Sequence, residues 1–249
     1  VLCLDDKNIK KILTSVKKKN YLTYGFDKYS NYQIKNVRYN LTGAKFSLVF
    51  KNLNAKKIEI KDIFLNLIGK HNVLNATAAI VICLNLGVSV KIIKKALSNF
   101  TGVQRRLTKI FVKNKKEFYD DYAHHPTEIK SVLSGIRLVS KKRKLISIFQ
   151  PHRYSRVKNL KKEFASSFKN SDVVVLCPIY SAGEKKDKSF NQNYFSFLIK
   201  KYSNVQVINV NDEFELRKYL QKNLLNEEIV VGMGAGSISK WMINLKDKI

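Results

Sequence analysis

Hydrophobic and polar positions change rhythm once along this chain, near residue 100. Before that point Phe46, Leu48 and Phe50 alternate with polar neighbours, the period-two pattern of a strand with one wet face. Strands are predicted at 21–24, 32–39, 45–50 and 57–60, forming an antiparallel meander. Residues 1–4 are an apolar run with no turn before it, as if a strand were entered partway. A helix follows, with Ile9, Ile12, Leu13 and Val16 on its apolar face and Asp5 or Asp6 as its cap. Two more helices are predicted, 71–86 stopped by Gly87, and one capped by Ser89 that runs to Leu97.

Past Phe100-Thr101-Gly102-Val103-Gln104-Arg105-Arg106-Leu107, strands and helices alternate. Strands are predicted at 117–120, 145–149, 173–177, 205–209 and 229–231, with helices at 127–139, 158–168, 194–201, 213–224 and 237–245. Runs such as Val173-Val174-Val175-Leu176 are apolar throughout, as strands covered on both faces are. Residues 1–102 and 103–249 are therefore expected to be separate domains of an α/β protein, the second of them doubly wound. No internal repeat or low-complexity linker is present.

Composition changes this picture little. The 249 residues carry a formal net charge of +28, which first suggests nucleic acid. Arg, however, supplies only eight of the 47 basic residues. Lys is scattered, as in Lys17-Lys18-Lys19, Lys56-Lys57, Lys141-Lys142 and Lys185-Lys186, alongside much Asn and Ile. Drift toward those residues explains the charge, so no nucleic-acid partner is expected; a basic RNA- or DNA-binding module stands as the alternative. Cys3, Cys83 and Cys177 sit alone in apolar contexts and are expected to be buried free thiols of a reducing compartment. No apolar run reaches the ~18 residues of a membrane span and no signal peptide opens the chain, so a cytoplasmic protein without a membrane partner is expected.

Candidate chemistry concentrates in two segments. Asp120-Asp121-Tyr122-Ala123-His124-His125-Pro126-Thr127-Glu128 and Phe149-Gln150-Pro151-His152-Arg153-Tyr154-Ser155-Arg156 each follow a buried strand and open a helix. In an open parallel sheet, ligands bind beyond the carboxyl ends of the strands. Neighbouring strands would bring these carboxylates, imidazoles and guanidinium groups to one edge. Arg153 and Arg156, three apart at a helix start, can fork onto a carboxylate or phosphate. Asp120 and Asp121 can bind a metal, orient a nucleotide or cap a helix. In His71-Asn72-x-x-Asn75 the two amides share a helix face, and a carboxamide matches adenine's donor and acceptor, although Asn near a helix start is more often a cap. Gly232-x-Gly234-x-Gly236-Ser237 follows the last strand with no acidic partner ~20 residues on, so tight turning and close helix packing are its expected roles. No Gly-x-x-x-x-Gly-Lys-Ser/Thr phosphate loop is present.

Together these segments, with Gly69-Lys70-His71-Asn72-Val73-Leu74-Asn75-Ala76, Gly102-Val103-Gln104-Arg105-Arg106 and Ile179-Tyr180-Ser181-Ala182-Gly183-Glu184, resemble the Mur ligases of peptidoglycan synthesis, and most of all their alanine-adding branch. The resemblance runs in family order over essentially the whole chain. It implies the second part of a central ATP-binding domain in residues 1–102 and a complete Rossmann-like C-terminal domain in 103–249. It departs where Leu107 follows the arginine pair in place of Phe, and where Ser237 replaces a common Asp. The implied activity uses ATP and Mg2+ to join L-alanine to the lactyl carboxylate of UDP-N-acetylmuramate through an acyl phosphate. The magnesium ligands and phosphate loop of the family have no counterpart in these residues, so the chain alone is expected to be inactive. The resemblance implies that His71, Asn72 and Asn75 hold adenine and that Arg106 and Asp121 engage the nucleotide. Asp121, His124, Arg153 and Arg156 are the implied catalytic set, with Tyr122 and His152 around the amino acid. A recycling branch, which joins a tripeptide to the same UDP-N-acetylmuramate, is the neighbouring possibility; the sequence from Phe149 to Arg153 favours alanine.

Overall fold

The computed structural model describes residues 1–13, 15–16, 20–40, 42–52, 54–140 and 142–249. The lysine run 17–19 and Lys141 lie outside the described residues. Two compact units divide the chain, Val1–Gly102 and Val103–Ile249.

In the first unit a five-stranded sheet has the order β1 (Leu2–Cys3), β2 (Thr23–Gly25), β3 (Tyr32–Asn40), β4 (Gly43–Lys51), β5 (Lys57–Leu65). The expected meander covers only β3 to β5, because β2 pairs parallel to both β1 and β3. Side chains brace the 26–31 loop and replace a tight hairpin there. Asp5 accepts from the amides of Phe26 (2.8 Å) and Asp27 (3.1 Å), and Asn31 Oδ1 accepts from the Thr23 amide (2.8 Å). Asp6, not Asp5, caps α1 (Lys7–Ile12), accepting from the amides of Asn8 (2.7 Å) and Ile9 (2.9 Å). That helix stops at Ile12 and buries none of its residues, so the apolar face expected through Leu13 and Val16 does not form. The core packs Ile34, Phe46, Leu48, Ile63 and Leu65 against α2 (Lys70–Asn85) and Ile93 of α3 (Val90–Asn99). Gly87, at φ 82°, follows α2, and Ser89 accepts from the Ile92 amide to open α3.

The second unit holds six strands in the order β10 (Gln206–Asn209), β9 (Val173–Leu176), β8 (Leu145–Phe149), β11 (Ile229–Met233), β7 (Lys116–Asp121), β6 (Thr108–Lys113). All pairs are parallel except β6 with β7. The β6 edge strand was not expected from the sequence. Its signal is the pair Asn114 and Lys115, both at positive φ (49° and 64°), which turn the chain as a two-residue hairpin does. Along β8 to β11 the apolar side chains alternate between two cores. Phe149, Val174, Leu176 and Val231 meet α4 (Pro126–Ser140), α5 (Tyr154–Asn159), α6 (Lys161–Ala165) and α7 (Gln192–Ser203). Ile146, Ile148, Val175 and Val230 meet α8 (Glu213–Asn223) and α9 (Ile238–Asn244). The helix expected at 158–168 starts earlier and breaks at Leu160, where φ is −117° and ψ 28°.

One expectation is corrected with consequences for the site. β7 and β8 are not neighbours: β11 runs between them, Gly232 standing in register with Asp120 on one side and Ile148 on the other. The last strand of the chain is wholly buried and takes partners on both edges. Cys177 is buried, whereas Cys3 and Cys83 are only partly so, and all three are free. Among the described residues no helix is long and apolar enough to cross a membrane.

Candidate active site

Polar side chains gather at the carboxyl ends of β7, β11, β8 and β9 in the second unit. The β11 end is stripped of bulk. A Cβ at Gly234 (φ 150°) would lie 2.8 Å from the Gln150 carbonyl oxygen, and one at Gly236 would lie 2.5 Å from both Gln150 Oε1 and Tyr180 Cγ. Gln150, itself buried, donates Nε2 to Ser237 Oγ (3.0 Å) and accepts from the Ile238 amide (3.1 Å). These glycines serve close packing, which lets the β7 and β8 loops meet across a strand that separates them.

From β7, Asp121 points inward. It is 2 % exposed, and its two oxygens accept from the amides of Leu107 (2.7 Å) and Ala123 (2.7 Å). Burial pushes its carboxyl up to about 6, against the pull of those amides and of Arg106. Asp120 accepts from Ser239 Oγ (2.6 Å) and stands 3.4 Å from Arg105 Nε. Arg105 also donates to the Gly234 carbonyl (2.6 Å), and its guanidinium lies 4.7 Å above the Tyr122 ring. Arg106, exposed, reaches Glu128 at 3.7 Å. Glu128 sits in the first turn of α4 and accepts from the amides of His124 (3.0 Å) and His125 (3.1 Å). Burial opposes its ionisation, but these amides and the His124 ring hold its carboxyl below the usual range. His124 Nδ1 lies 2.9 Å from the Tyr122 carbonyl oxygen. A carbonyl only accepts, so Nδ1 carries a hydrogen, and in the neutral form of the ring Nε2 keeps the lone pair.

From β8, His152 stacks its ring 5.6 Å from Tyr180 and lies 5.6 Å from the His124 ring, which meets Tyr122 edge-on at 5.0 Å. Tyr122, His124, His152 and Tyr180 thus form a continuous row. Arg156 Nη1 lies 3.2 Å from His152 Nδ1, and a guanidinium only donates, so that nitrogen is unprotonated. Burial, Arg156 and His124 all lower the His152 pKa, keeping it neutral with Nε2–H as a donor. Arg153 is exposed and occupies the cap position of α5 at φ 70°. Among the described residues no carboxylate lies within ion-pair distance of the Arg153 or Arg156 guanidinium. Two forked cations beside a row of aromatic rings suit a small carboxylate ligand.

The structure therefore brings together Tyr122, His124, His152, Arg153 and Arg156, with Arg106 on Glu128 at the margin and Asp121 beneath. Sequence reasoning gave no role of their own to Tyr180, Glu184 or Ser239, and carried Arg105 and Glu128 only as members of their segments. The signal of Tyr180, Glu184 and Ser239 was weak, since each acts through hydrogen bonds or rings on another segment. His71, Asn72 and Asn75 belong to the first unit, at the start of α2. Asn72 spends its Nδ2 on the Ile68 carbonyl (2.8 Å), His71 is half-buried, and Asn75 is exposed one turn on. Among the described residues no group of three or more His, Cys, Asp or Glu is placed to hold a metal ion. Asp121 spends both oxygens on backbone amides, and Asp120 gives Oδ2 to Ser239 and Arg105 while its buried Oδ1 stands without a hydrogen-bond partner; two carboxylates so placed do not assemble the site for the magnesium implied by the resemblance.

Comparison with known proteins places these features in a family. Residues 1–83 match the Mur ligase middle domain and residues 105–236 the Mur ligase, glutamate ligase domain. The UDP-N-acetylmuramate–L-alanine ligase of Pelagibacter ubique is 49% identical over 248 residues, covering 100% of this chain and 53% of that protein. The protein of the same name from Dictyoglomus turgidum is 36% identical, covering 96% of this chain and 50% of that protein. The chain thus spans about half the length of the curated relatives it matches. A crystal structure of UDP-N-acetylmuramate-alanine ligase from Thermotoga maritima shares the fold with a TM-score of 0.76 at 24% identity, covering 99% of this chain and 50% of that one. A murein peptide ligase from Psychrobacter arcticus does so at 0.64 and 22%, covering 96% of this chain and 49% of that one. With both units matched in order, the chain belongs to the Mur ligase family.

Proposed function

We propose that this chain is the amino-acid-binding and part of the ATP-binding portion of a ligase that adds L-alanine to UDP-N-acetylmuramate. The observation that carries the reading is the Arg153–Arg156 pair, without a carboxylate partner among the described residues, beside the rings of His124 and His152. The 49% identity to an enzyme of that name along the whole chain supports it. In this reading the γ-phosphoryl group of ATP passes to the lactyl carboxylate and ADP leaves. The alanine nitrogen then attacks the acyl carbon, and phosphate departs with the C–O bond pair.

The chain's own residues position and hold. Arg153 and Arg156 take the alanine carboxylate, and Tyr122 and His152 wall the small side chain. His124, its lone pair on Nε2, accepts the proton that the attacking nitrogen must lose. Asp121 acts beneath them by pinning the amides of Leu107 and Ala123, so that Arg106 and Tyr122 stand in place toward the nucleotide and substrate. His71, Asn72 and Asn75 of the first unit hold adenine. Orientation of this kind supplies most of the rate in such transfers. Mg2+ would supply charge neutralisation on the phosphates, from ligands outside these residues.

The reading is tested with the chain alone and with the chain joined to the part of the Pelagibacter ubique relative that it does not cover. Mass spectrometry follows UDP-N-acetylmuramoyl-L-alanine formed from ATP, L-alanine and UDP-N-acetylmuramate. Product from the joined protein only is expected. Product from the chain alone, or a tripeptide preferred to alanine, would overturn the assignment.

A further inference from the structure

The loop after β9 carries a turn shaped to deliver one carboxylate. Glu184 N donates to the Ser181 carbonyl (3.1 Å), and the two residues between them, Ala182 (φ 53°) and Gly183 (φ 86°), are both left-handed. That is the geometry of a type I′ turn, and Ala adopts it only under constraint. Across from it α5 begins without a cap of its own, since the Arg153 side chain makes no capping bond. Its early amides would be left as orphans. Glu184 fills the gap from outside: Oε2 accepts from the Ser155 amide (3.1 Å) and Oε1 from the Ser155 hydroxyl. Backbone bonds run alongside, Tyr180 N to Pro151 O (2.8 Å) and Arg153 N to Tyr180 O (2.9 Å). The Ser155 hydroxyl and amide together hold the Glu184 carboxyl below its ordinary range.

We propose that Glu184 is a positioning residue for the amino-acid site, a cap supplied by one loop that fixes the helix start carrying Arg153 and Arg156. The inference deepens the ligase reading and rests on it for its catalytic consequence. Glu184 does not itself meet the substrate. Both its oxygens are turned to Ser155, and Arg153, two residues earlier, stands at φ 70° with its amide on the Tyr180 carbonyl. Without the cap, residues 153–156 are free to leave that strained arrangement, and the two guanidinium groups lose their common aim. Affinity for the amino acid then falls while the nucleotide, read by α2, is untouched.

Two measurements test this. Hydrogen exchange on the 249-residue chain needs no activity. In Glu184→Ala the amides of 154–157 should exchange roughly tenfold faster, as the loss of a helix cap does. Glu184→Gln, which keeps an acceptor, should fall between Ala and the parent. Ser155→Ala is the second variant, in case Glu184→Ala loosens the whole unit. Unchanged protection of 154–157 in Glu184→Ala and Ser155→Ala overturns the proposal. In the joined ligase, Glu184→Ala should raise the KM for L-alanine about tenfold, with kcat and the KM for ATP within about twofold, and Gln should rescue most of it. A fall in kcat with Gln as poor as Ala would instead make Glu184 a group that touches the amine, and the proposal fails. Should the unsubstituted joined protein form no product, the ligase reading fails, and the exchange measurement still decides the cap.

Discussion

The rings of His124 and His152 approach to 5.6 Å although their strands, β7 and β8, do not pair. β11 separates them, and its glycine-rich end makes the approach possible. Gly234 and Gly236 clear the space that Gln150, Tyr180 and the two imidazole loops then fill. A site built this way depends on small residues that perform no chemistry.

The arginine pair should govern amino-acid affinity. Replacing Arg153 or Arg156 with Ala in the joined ligase leaves a bound carboxylate short of a partner, at a cost of about 2–5 kcal/mol. The KM for L-alanine should rise well over tenfold and that for ATP much less. Lys should rescue poorly, because it lacks the planar fork. Steady-state kinetics check this; a KM increase confined to ATP would move the loop to the nucleotide.

Residues 103–249 should fold by themselves. The unit has cores on both faces of its own sheet, and Phe118, Phe149 and Phe164 are fully buried within them. A protein of those residues should unfold in urea as one cooperative transition. A broad, non-cooperative loss of circular dichroism would count against an autonomous domain.

Two glycine substitutions should differ in cost. At Gly234 an Ala meets both a left-handed backbone and the Gln150 carbonyl oxygen at 2.8 Å, so Gly234→Ala should destabilise the chain by about 2–4 kcal/mol. At Gly183 (φ 86°) nothing lies within 4 Å of the added carbon, leaving backbone strain alone, about 1 kcal/mol. Urea midpoints of the two variants should fall in that order.

Asp121 should titrate near 6, followed by its carboxyl carbon resonance. Burial raises it, and Arg106 is among the groups that hold it down, so Arg106→Ala should raise it further. Because the folded pKa exceeds the unfolded value, the group's contribution to stability is full below about 3.8 and is lost as pH rises through about 6. A midpoint near 4 in the parent chain would show that the carboxyl is not desolvated.

Local pattern settled much of this protein. The apolar run 173–176 could only be a strand covered on both faces, and Gly87 with Ser89 marked one helix end and the next start, since backbone conformation and capping act within a few residues. The sequence from Asp120 to Glu128 and from Phe149 to Arg156 also declared its chemistry, because carboxylates, imidazoles and guanidinium groups are costly to gather without use. Other relationships were invisible along the chain. The last strand inserts between β7 and β8 because a fully apolar segment lowers its free energy most with partners on both edges, and no local signal names those partners. Asp121 looked like a group for a metal or a nucleotide, yet the fold turns it inward to two backbone amides. Glu184 meets Ser155 from 29 residues away. Hydrogen-bond partners such as these are chosen by which loops the sheet order brings together, and only the tertiary structure sets that order.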